Sequence, residues 1–380
     1  MVEIILSIFL YLIWGKMRSN ILFKIIGIIV CAIFINRCFV NSKQEKLKER
    51  VAIFSAPTKS PFVNNVGVAF SVEQTNWYND KSIKYNNALQ DQYTFERLQV
   101  ISKDFKLIRI YSFLVAGWES TGNITPEAYS LINVAKQDDK VEAVIGTSCN
   151  REWFKVQSNV QMYVDSIQSK FGTSISQVKT ILIGNEINAN SYTQQDIVTI
   201  MKNFKVALKK NKLNIPVTAT FSNLPIQSGD AYSDSLVSAI VENWDKNWNG
   251  NKPFVFIDPY PDASGINNAA GVYAWQYEVT QYYQSKYPSL QIFIGETGAE
   301  GSTSDYNTSV VIDSVFSQLT LQYDSIGKTV PTLLFEAVNE PLKVGSPNQK
   351  YMGIYSDSND PKTIKVKIKN NINLPTWFKK

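Results

Sequence analysis

Short runs of apolar residues recur along most of the chain at nearly even intervals. From Val66 onward, eight such runs begin 35–40 residues apart. They start at Val66, Lys106, Val141, Thr180, Ile215, Pro253, Gln291 and Pro331. A short, continuous run rich in Val, Ile and Phe is typical of a strand buried on both faces of a parallel sheet.

Segments with helical periodicity fill the intervals between these runs. In residues 196–212 the apolar positions follow the i, i+3, i+4, i+7 rule, and similar segments cover 126–136, 272–287 and 309–326. Alternating strands and helices predict an α/β fold, a (βα)8 TIM barrel over residues 63–380. A doubly wound sheet is the main rival, but no glycine-rich phosphate loop follows any of the runs.

The two ends of the chain depart from this repeat. Residues 4–14 form one apolar run, and residues 21–36 form a second that is broken only by Lys24. We expect residues 1–40 to form an uncleaved membrane signal-anchor or, as the second choice, a cleaved signal segment. A polar stalk is predicted over 41–62, so the rest of the chain would be exported, either membrane-anchored or secreted. At the other end, residues 362–369 alternate Lys with Ile and Val, which predicts an amphipathic strand with solvated lysines rather than a final helix.

Composition narrows the chemistry available to the chain. The 380 residues include three cysteines and no histidine, which excludes Ser-His-Asp and Cys-His catalysis and histidine-based metal sites. We expect neither a metal nor a cofactor. The net charge of +5 is small and spread along the chain, so we expect no nucleic-acid partner.

The C-terminal ends of barrel strands meet at one mouth, so the residues found there are the candidates for a site. Read in order they form an acid-rich rim: Ser71, Glu73, Arg109, Tyr111, Asn185, Glu186, Asp258, Tyr260, Glu296, Glu336, Glu340 and Lys343. Trp77, Trp118, Trp153 and Trp275 are candidate stacking surfaces for sugar rings. A polar rim with aromatic side chains favours a polysaccharide or oligosaccharide as the partner.

Two of these residues, Glu186 and Glu296, end the fourth and seventh runs and should face each other across the mouth. Cleavage of a glycosidic bond with retention needs a carboxylic acid and a carboxylate nucleophile at such positions. We assign Glu186 as general acid/base, with a raised pKa, and Glu296 as the nucleophile. Arg109 and Tyr260 would keep Glu296 ionised, and Asn185 would bind the substrate 2-hydroxyl.

Five motifs in this order resemble glycoside hydrolase family 17, a family of barrel β-glucanases and glucan transglycosylases. They are Ile108-Arg109-Ile110-Tyr111, Gly184-Asn185-Glu186, Pro259-Tyr260, Gly295-Glu296-Thr297-Gly298 and the run from Phe335 to Lys343 that contains Glu340. The resemblance spans roughly Val66 to Tyr355 and implies retaining cleavage of β-1,3-glucan, with Glu340 and Lys343 helping to organise the site. The chain departs from the family at Ala299-Glu300 and Leu342, where Trp residues are usual.

Three functions stay open from the sequence. The first is a β-1,3-glucanase or glucanosyltransferase, which share the covalent intermediate. The second is a barrel glycosidase for another β-linkage, and the third is a non-catalytic carbohydrate-binding surface protein.

Overall fold

In a computed structural model, the eight apolar runs form a closed parallel barrel in the order β1 to β8. The structure describes residues 60–379 except 85, 118, 148–149, 226–229, 249–251, 262–268, 301, 303 and 344–348. The strands are β1 Val66–Ala69, β2 Leu107–Ile110, β3 Glu142–Gly146, β4 Val178–Ile183, β5 Val217–Phe221, β6 Phe254–Ile257, β7 Gln291–Thr297 and β8 Thr332–Leu334. The predicted (βα)8 barrel is confirmed.

Helices cover the outside of the barrel between successive strands. They are α1 Asn87–Asp104, α2 Pro126–Gln137, α3 Arg151–Phe154, α4 Gln157–Phe171, α5 Gln194–Lys210, α6 Ala231–Glu242, α7 Ala269–Lys286 and α8 Asp305–Ile326. The start of α5 shows how the sequence sets a boundary: Thr193 and Asp196 form a reciprocal capping box. Buried apolar residues of the helices and of the strands form one large hydrophobic core outside the barrel interior.

Alternation along the strands separates an outer core from an inner one. Inward-facing apolar side chains fill the lower barrel: Leu107, Val144, Leu182, Phe254, Phe256, Phe293 and Leu333. Phe62 joins this cluster from below, with ring centroids 6.0–6.2 Å from those of Phe254, Phe256 and Phe293. Although Phe62 falls in the predicted stalk, its side chain therefore contributes to the barrel. The filled lower barrel leaves the opposite mouth for polar residues.

The segment after β8 contains a small antiparallel ribbon, in which β9 Tyr355–Ser356 pairs with β10 Lys367–Ile368. The predicted strand over 362–369 is thus real but only two residues long. Lys365 and Lys367 are exposed as expected. The prediction of solvated lysines is wrong for Lys369, which is buried because its ammonium group lies 2.8 Å from Asp305 Oδ1.

The predicted membrane or signal segment over 1–40 lies outside the described residues, as does most of the predicted stalk. In the part of the chain that the structure describes, no helix is long and apolar enough to cross a membrane.

Candidate active site

The period-two alternation of β2 and β6 determines which side chains reach the barrel mouth. On β6, Phe256 points inward, so Asp258 and Tyr260 continue on the same side beyond the strand end. On β2 the same rule brings Arg109 and Tyr111 into the interior above the apolar layer. Arg109 and Asp258 are both buried, so a cation and a carboxyl group lie together beneath the mouth.

Glu296 reaches the mouth through an irregularity in β7. Phe293 points inward, so strict alternation would turn Glu296 outward, toward the helices. The ladder between β7 and β8 shifts register between Ile294 and Thr297, with three steps on β7 opposing two on β8. Such an irregularity re-aims a side chain, and here the Glu296 carboxylate faces the cleft.

Three donors converge on the Glu296 carboxylate. Arg109 Nη1 lies 3.1 Å from Oε1, the Tyr111 hydroxyl donates to Oε1 at 2.9 Å, and the Tyr260 hydroxyl donates to Oε2. Burial, and next the charge of Glu296, raise the pKa of both tyrosines well above the usual value, so both remain donors. A cation and two hydroxyl donors therefore hold the Glu296 carboxylate in one orientation in the cleft.

The turn after β4 carries Glu186 to the same cleft. Gly184 has a φ of +61°, and a Cβ there would lie 2.6 Å from the Tyr192 hydroxyl oxygen. Glu186 itself has a φ of +46°, which is uncommon for a residue with a side chain. Hydroxyls of neighbouring strands hold the turn: Thr147 Oγ1 accepts from the Gly184 N–H at 2.8 Å, and Thr220 Oγ1 from the Glu186 N–H at 2.7 Å.

The charge environment of Glu186 is opposite to that of Glu296. Burial, and next the charge of Glu296, raise the pKa of Glu186, although Arg109 opposes this shift. No hydrogen bond from a described side chain stabilises its charged form. The environment of Glu186 therefore favours its protonated form, which is what a general acid needs.

Arg109 connects Glu296 with the strand-4 turn. Its Nη1 donates to the Gly295 carbonyl oxygen at 2.9 Å, and its Nη2 donates to Asn185 Oδ1. The same amide oxygen accepts from Thr220 Oγ1 at 3.1 Å. Because the oxygen of Asn185 is occupied, its NH2 group is the part of the amide that can donate to a ligand in the cleft.

Glu340 and Lys343 form the wall supplied by the loop after β8. Ser71 Oγ donates to Glu340 Oε1 at 2.9 Å, and Lys343 Nζ donates to Glu340 Oε2 at 3.2 Å. Lys343 also lies 4.4 Å above the centre of the Phe335 ring. This ring meets the edges of Tyr111 and Tyr260, with centroids 6.2 and 6.0 Å away. Aromatic packing therefore links the strand-8 wall to the two tyrosines that hold Glu296.

These elements enclose one cleft of about 560 Å³. Nine of the twelve rim residues predicted from the sequence line it: Ser71, Glu73, Tyr111, Asn185, Glu186, Tyr260, Glu296, Glu340 and Lys343. Of the other three, Arg109 lies beneath the cleft and contacts Glu296. Tyrosine rings, carboxyl groups and amides around such a cleft suit a sugar ligand.

Asp258 belongs to the site although the sequence assigned it no role. Its Oδ1 lies 3.9 Å from Arg109 Nη1. Burial, and next the charge of Glu296, raise its pKa well above the usual range. A Cβ at Gly295 would lie 2.5 Å from Asp258 Oδ1, so the glycine before Glu296 provides the space for this carboxyl group. In the sequence, the glycine directly before Glu296 was the signal that another side chain occupies this space.

Glu127 also lines the cleft and was missed. It lies in the first turn of α2, and its Oε1 accepts from the Val72 N–H at 3.1 Å. Burial, and next the charge of Glu73, raise the pKa of Glu127 to about 7. Its position directly after Pro126, where a strand-to-helix loop ends, was the signal that could have revealed it.

Of the four tryptophans that are candidates for sugar stacking, the three that the structure describes pack against the protein. Trp77 is buried, with the Arg97 guanidinium 3.9 Å from its ring centre. Trp153 and Trp275 are partly buried against the main hydrophobic core, and none of the three lines the cleft. Trp118 lies outside the described residues. Packing on the helices, rather than the site, holds these rings.

No protein-family model matches the chain, and no curated protein matches its sequence. Several solved structures match its fold. A β-1,3-glucanase and allergen of Cryptomeria japonica pollen shares 16% identity at a TM-score of 0.54, covering 81% of this chain and 100% of that one. A plant β-glucan endohydrolase shares 14% identity at 0.52, covering 78% and 97%. A β-glucosidase from Exiguobacterium marinum shares 12% at 0.52, covering 84% and 98%.

At these identities the similarity shows a shared fold, the (βα)8 barrel. The three matched structures are barrels of glycoside-cleaving enzymes. The match covers 78–84% of this chain.

Proposed function

We propose that this chain is a retaining glycoside hydrolase or transglycosylase that acts on β-1,3-glucan. One observation carries the proposal: a single cleft holds one carboxyl group whose charge is stabilised by three donors, Glu296, and a second whose pKa is raised, Glu186. Double displacement needs this division of roles between two carboxyl groups.

In the first step, Glu296 attacks the anomeric carbon while Glu186 gives its proton to the departing glycosidic oxygen. The bond to that oxygen breaks and a glycosyl ester forms on Glu296. In the second step, Glu186 takes a proton from water or from a sugar hydroxyl, whose oxygen displaces Glu296. Water yields hydrolysis and a sugar hydroxyl yields a longer glucan.

The other residues of the cleft support these steps. Arg109 and the two tyrosines orient the nucleophile and balance its charge. Asn185 donates to the sugar 2-hydroxyl, a contact that strengthens in the transition state. The resemblance to glycoside hydrolase family 17 supports the β-1,3 linkage, and the glucanase among the matched structures is consistent with it.

The decisive assay uses a linear β-1,3-oligosaccharide with product analysis by mass spectrometry. We expect shorter products, and also longer ones if sugar hydroxyls compete with water. β-1,4-Mannan and cellulose oligosaccharides are the matched controls and should stay intact. Cleavage of these controls without cleavage of the β-1,3 substrate would show that the enzyme acts on a β-1,4 linkage and would overturn the proposed specificity. Binding without any cleavage would favour a non-catalytic carbohydrate-binding protein.

Replacing Tyr260 by phenylalanine is expected to lower kcat/KM by about tenfold, because a hydrogen bond to a charged group is worth roughly 1.5–3 kcal/mol. The ring and its contact with Phe335 are kept, so the fold should not change. Tyr282→Phe, which removes a hydroxyl on α7 away from the cleft, is the control and should keep the wild-type rate. An unchanged rate in Tyr260→Phe would remove this hydroxyl from the mechanism.

A further inference from the structure

Glu336, two residues after the end of β8, is a buried carboxyl group that the proposed reaction does not use. Its side chain is fully buried, at 0% exposure. Neither of its oxygens accepts a hydrogen bond from an amide, hydroxyl or amine of the described residues. A buried carboxylate without donors is costly, so its surroundings must favour the neutral acid.

The two cations near Glu336 are committed to other groups. Lys343 Nζ donates to Glu340 at 3.2 Å. Lys369 Nζ lies within 2.8–3.1 Å of three acceptors, which are Asn339 Oδ1, the Tyr351 carbonyl oxygen and Asp305 Oδ1. Since an ammonium group has three protons, Lys369 has none left for Glu336.

The remaining neighbour is the carboxylate of Glu340. Burial, and next the charge of Glu340, raise the pKa of Glu336 well above the usual range, with a smaller contribution from Glu296 and an opposing one from Lys343. A hydrogen bond between the Glu336 and Glu340 carboxyl groups adds to the rise of this pKa. Glu340 is the better place for the negative charge because Lys343 already pairs with it.

We propose that Glu336 is a neutral acid whose O–H donates to the Glu340 carboxylate and that it acts as a positioning residue for the wall formed by Glu340 and Lys343. Glu340 then has three donors: the Ser71 hydroxyl, the Lys343 ammonium group and the Glu336 carboxyl group. Lys343 is thereby held over Phe335, whose ring supports the tyrosines at Glu296. The role in the cleft rests on the proposed function, whereas the protonation does not.

Two substitutions at Glu336 test whether the site needs its hydrogen-bond donor or its negative charge. Glu336→Gln keeps the size and an N–H donor, while Glu336→Met keeps the length and has no donor. We expect kcat/KM on a β-1,3-oligosaccharide to fall by about tenfold in Glu336→Met, the cost of one lost hydrogen bond to a buried carboxylate, and to recover most of this in Glu336→Gln. Equal losses in both variants would show that the charge of Glu336 is needed and would overturn the proposal.

A second measurement tests the protonation without any enzyme assay. Folding raises the pKa of Glu336. The neutral carboxyl group therefore contributes its full stability below the unfolded-state pKa, about 4.3. This contribution is lost as the pH rises toward the folded-state pKa. Glu336→Gln does not ionise, so its melting temperature should match that of the wild type at pH 4 and exceed it by an increasing margin up to pH 8.

Glu278→Gln, on the exposed face of α7, is the control for this pH series and should show no such trend. If Glu336→Gln becomes less stable than the wild type as the pH rises, Glu336 is an ionised partner and the proposal fails. If the wild type cleaves no glycoside, the proposed function fails, and the melting series still decides the protonation of Glu336.

Discussion

Replacing Glu296 by glutamine is expected to lower the rate of β-1,3-glucan cleavage by about four orders of magnitude or more, as for other residues that supply the reacting atom. The amide keeps the size of the carboxylate, and its single oxygen can still accept from one of the two tyrosine hydroxyls, while its NH2 group can donate to the oxygen of the other. It cannot form the glycosyl ester. Release of reducing sugar under saturating substrate measures the loss.

The control for this loss is Glu278→Gln, a change of the same chemistry on the exposed face of α7. It should keep the wild-type rate, whereas Glu296→Gln should keep the circular dichroism spectrum and still bind the oligosaccharide. A Glu296→Gln variant that turns over at near wild-type rate would exclude the double displacement proposed here. Another carboxyl group of the cleft would then have to be the nucleophile.

The second large effect is expected for Glu186→Gln, and it should depend on the leaving group. For an oligosaccharide, whose departing oxygen needs a proton, the rate should fall by about a thousandfold, since general acid catalysis contributes roughly 10²–10⁴. For an aryl β-glucoside with a strongly acidic phenol, the first step needs no proton and should be slowed far less. Comparing both substrates on the same variant is the measurement.

The pH dependence of the wild type follows from the raised pKa of Glu186. The reaction needs Glu186 protonated, so kcat/KM should stay high above the ordinary range of glutamate and then fall as the pH rises through this raised value. Glu186→Gln cannot ionise and should lose this alkaline decline. If the decline persists in Glu186→Gln, a different group is the acid.

Local patterns were sufficient for the fold and for most of the site. The length and spacing of the apolar runs identified the eight strands, because a strand that is buried on both faces consists of consecutive apolar residues. The strand ends then named Glu186, Glu296 and their partners Arg109, Tyr111 and Tyr260, since barrel topology brings such ends to one mouth. The predicted segment over 1–40 and its location remain predictions.

Other properties required the tertiary structure. Alternation on β7 predicts an outward Glu296, and only the register shift against β8 turns it into the cleft. Tryptophan rings can stack on sugars, but Trp77 is buried in the hydrophobic core. Lys369 looked solvated within its own segment and is buried because Asp305, on α8, supplies its counter-charge.

By itself, the sequence determined a (βα)8 barrel with two glutamates at its mouth. The tertiary structure decided which carboxyl groups have a raised pKa. The reason is that periodicity is a property of adjacent residues, whereas protonation depends on burial and on charges that distant segments bring together. Asp258, Glu127 and Glu336 are ordinary acids in the sequence. Their pKa values are raised first by burial and next by the charges of Glu296, Glu73 and Glu340, respectively.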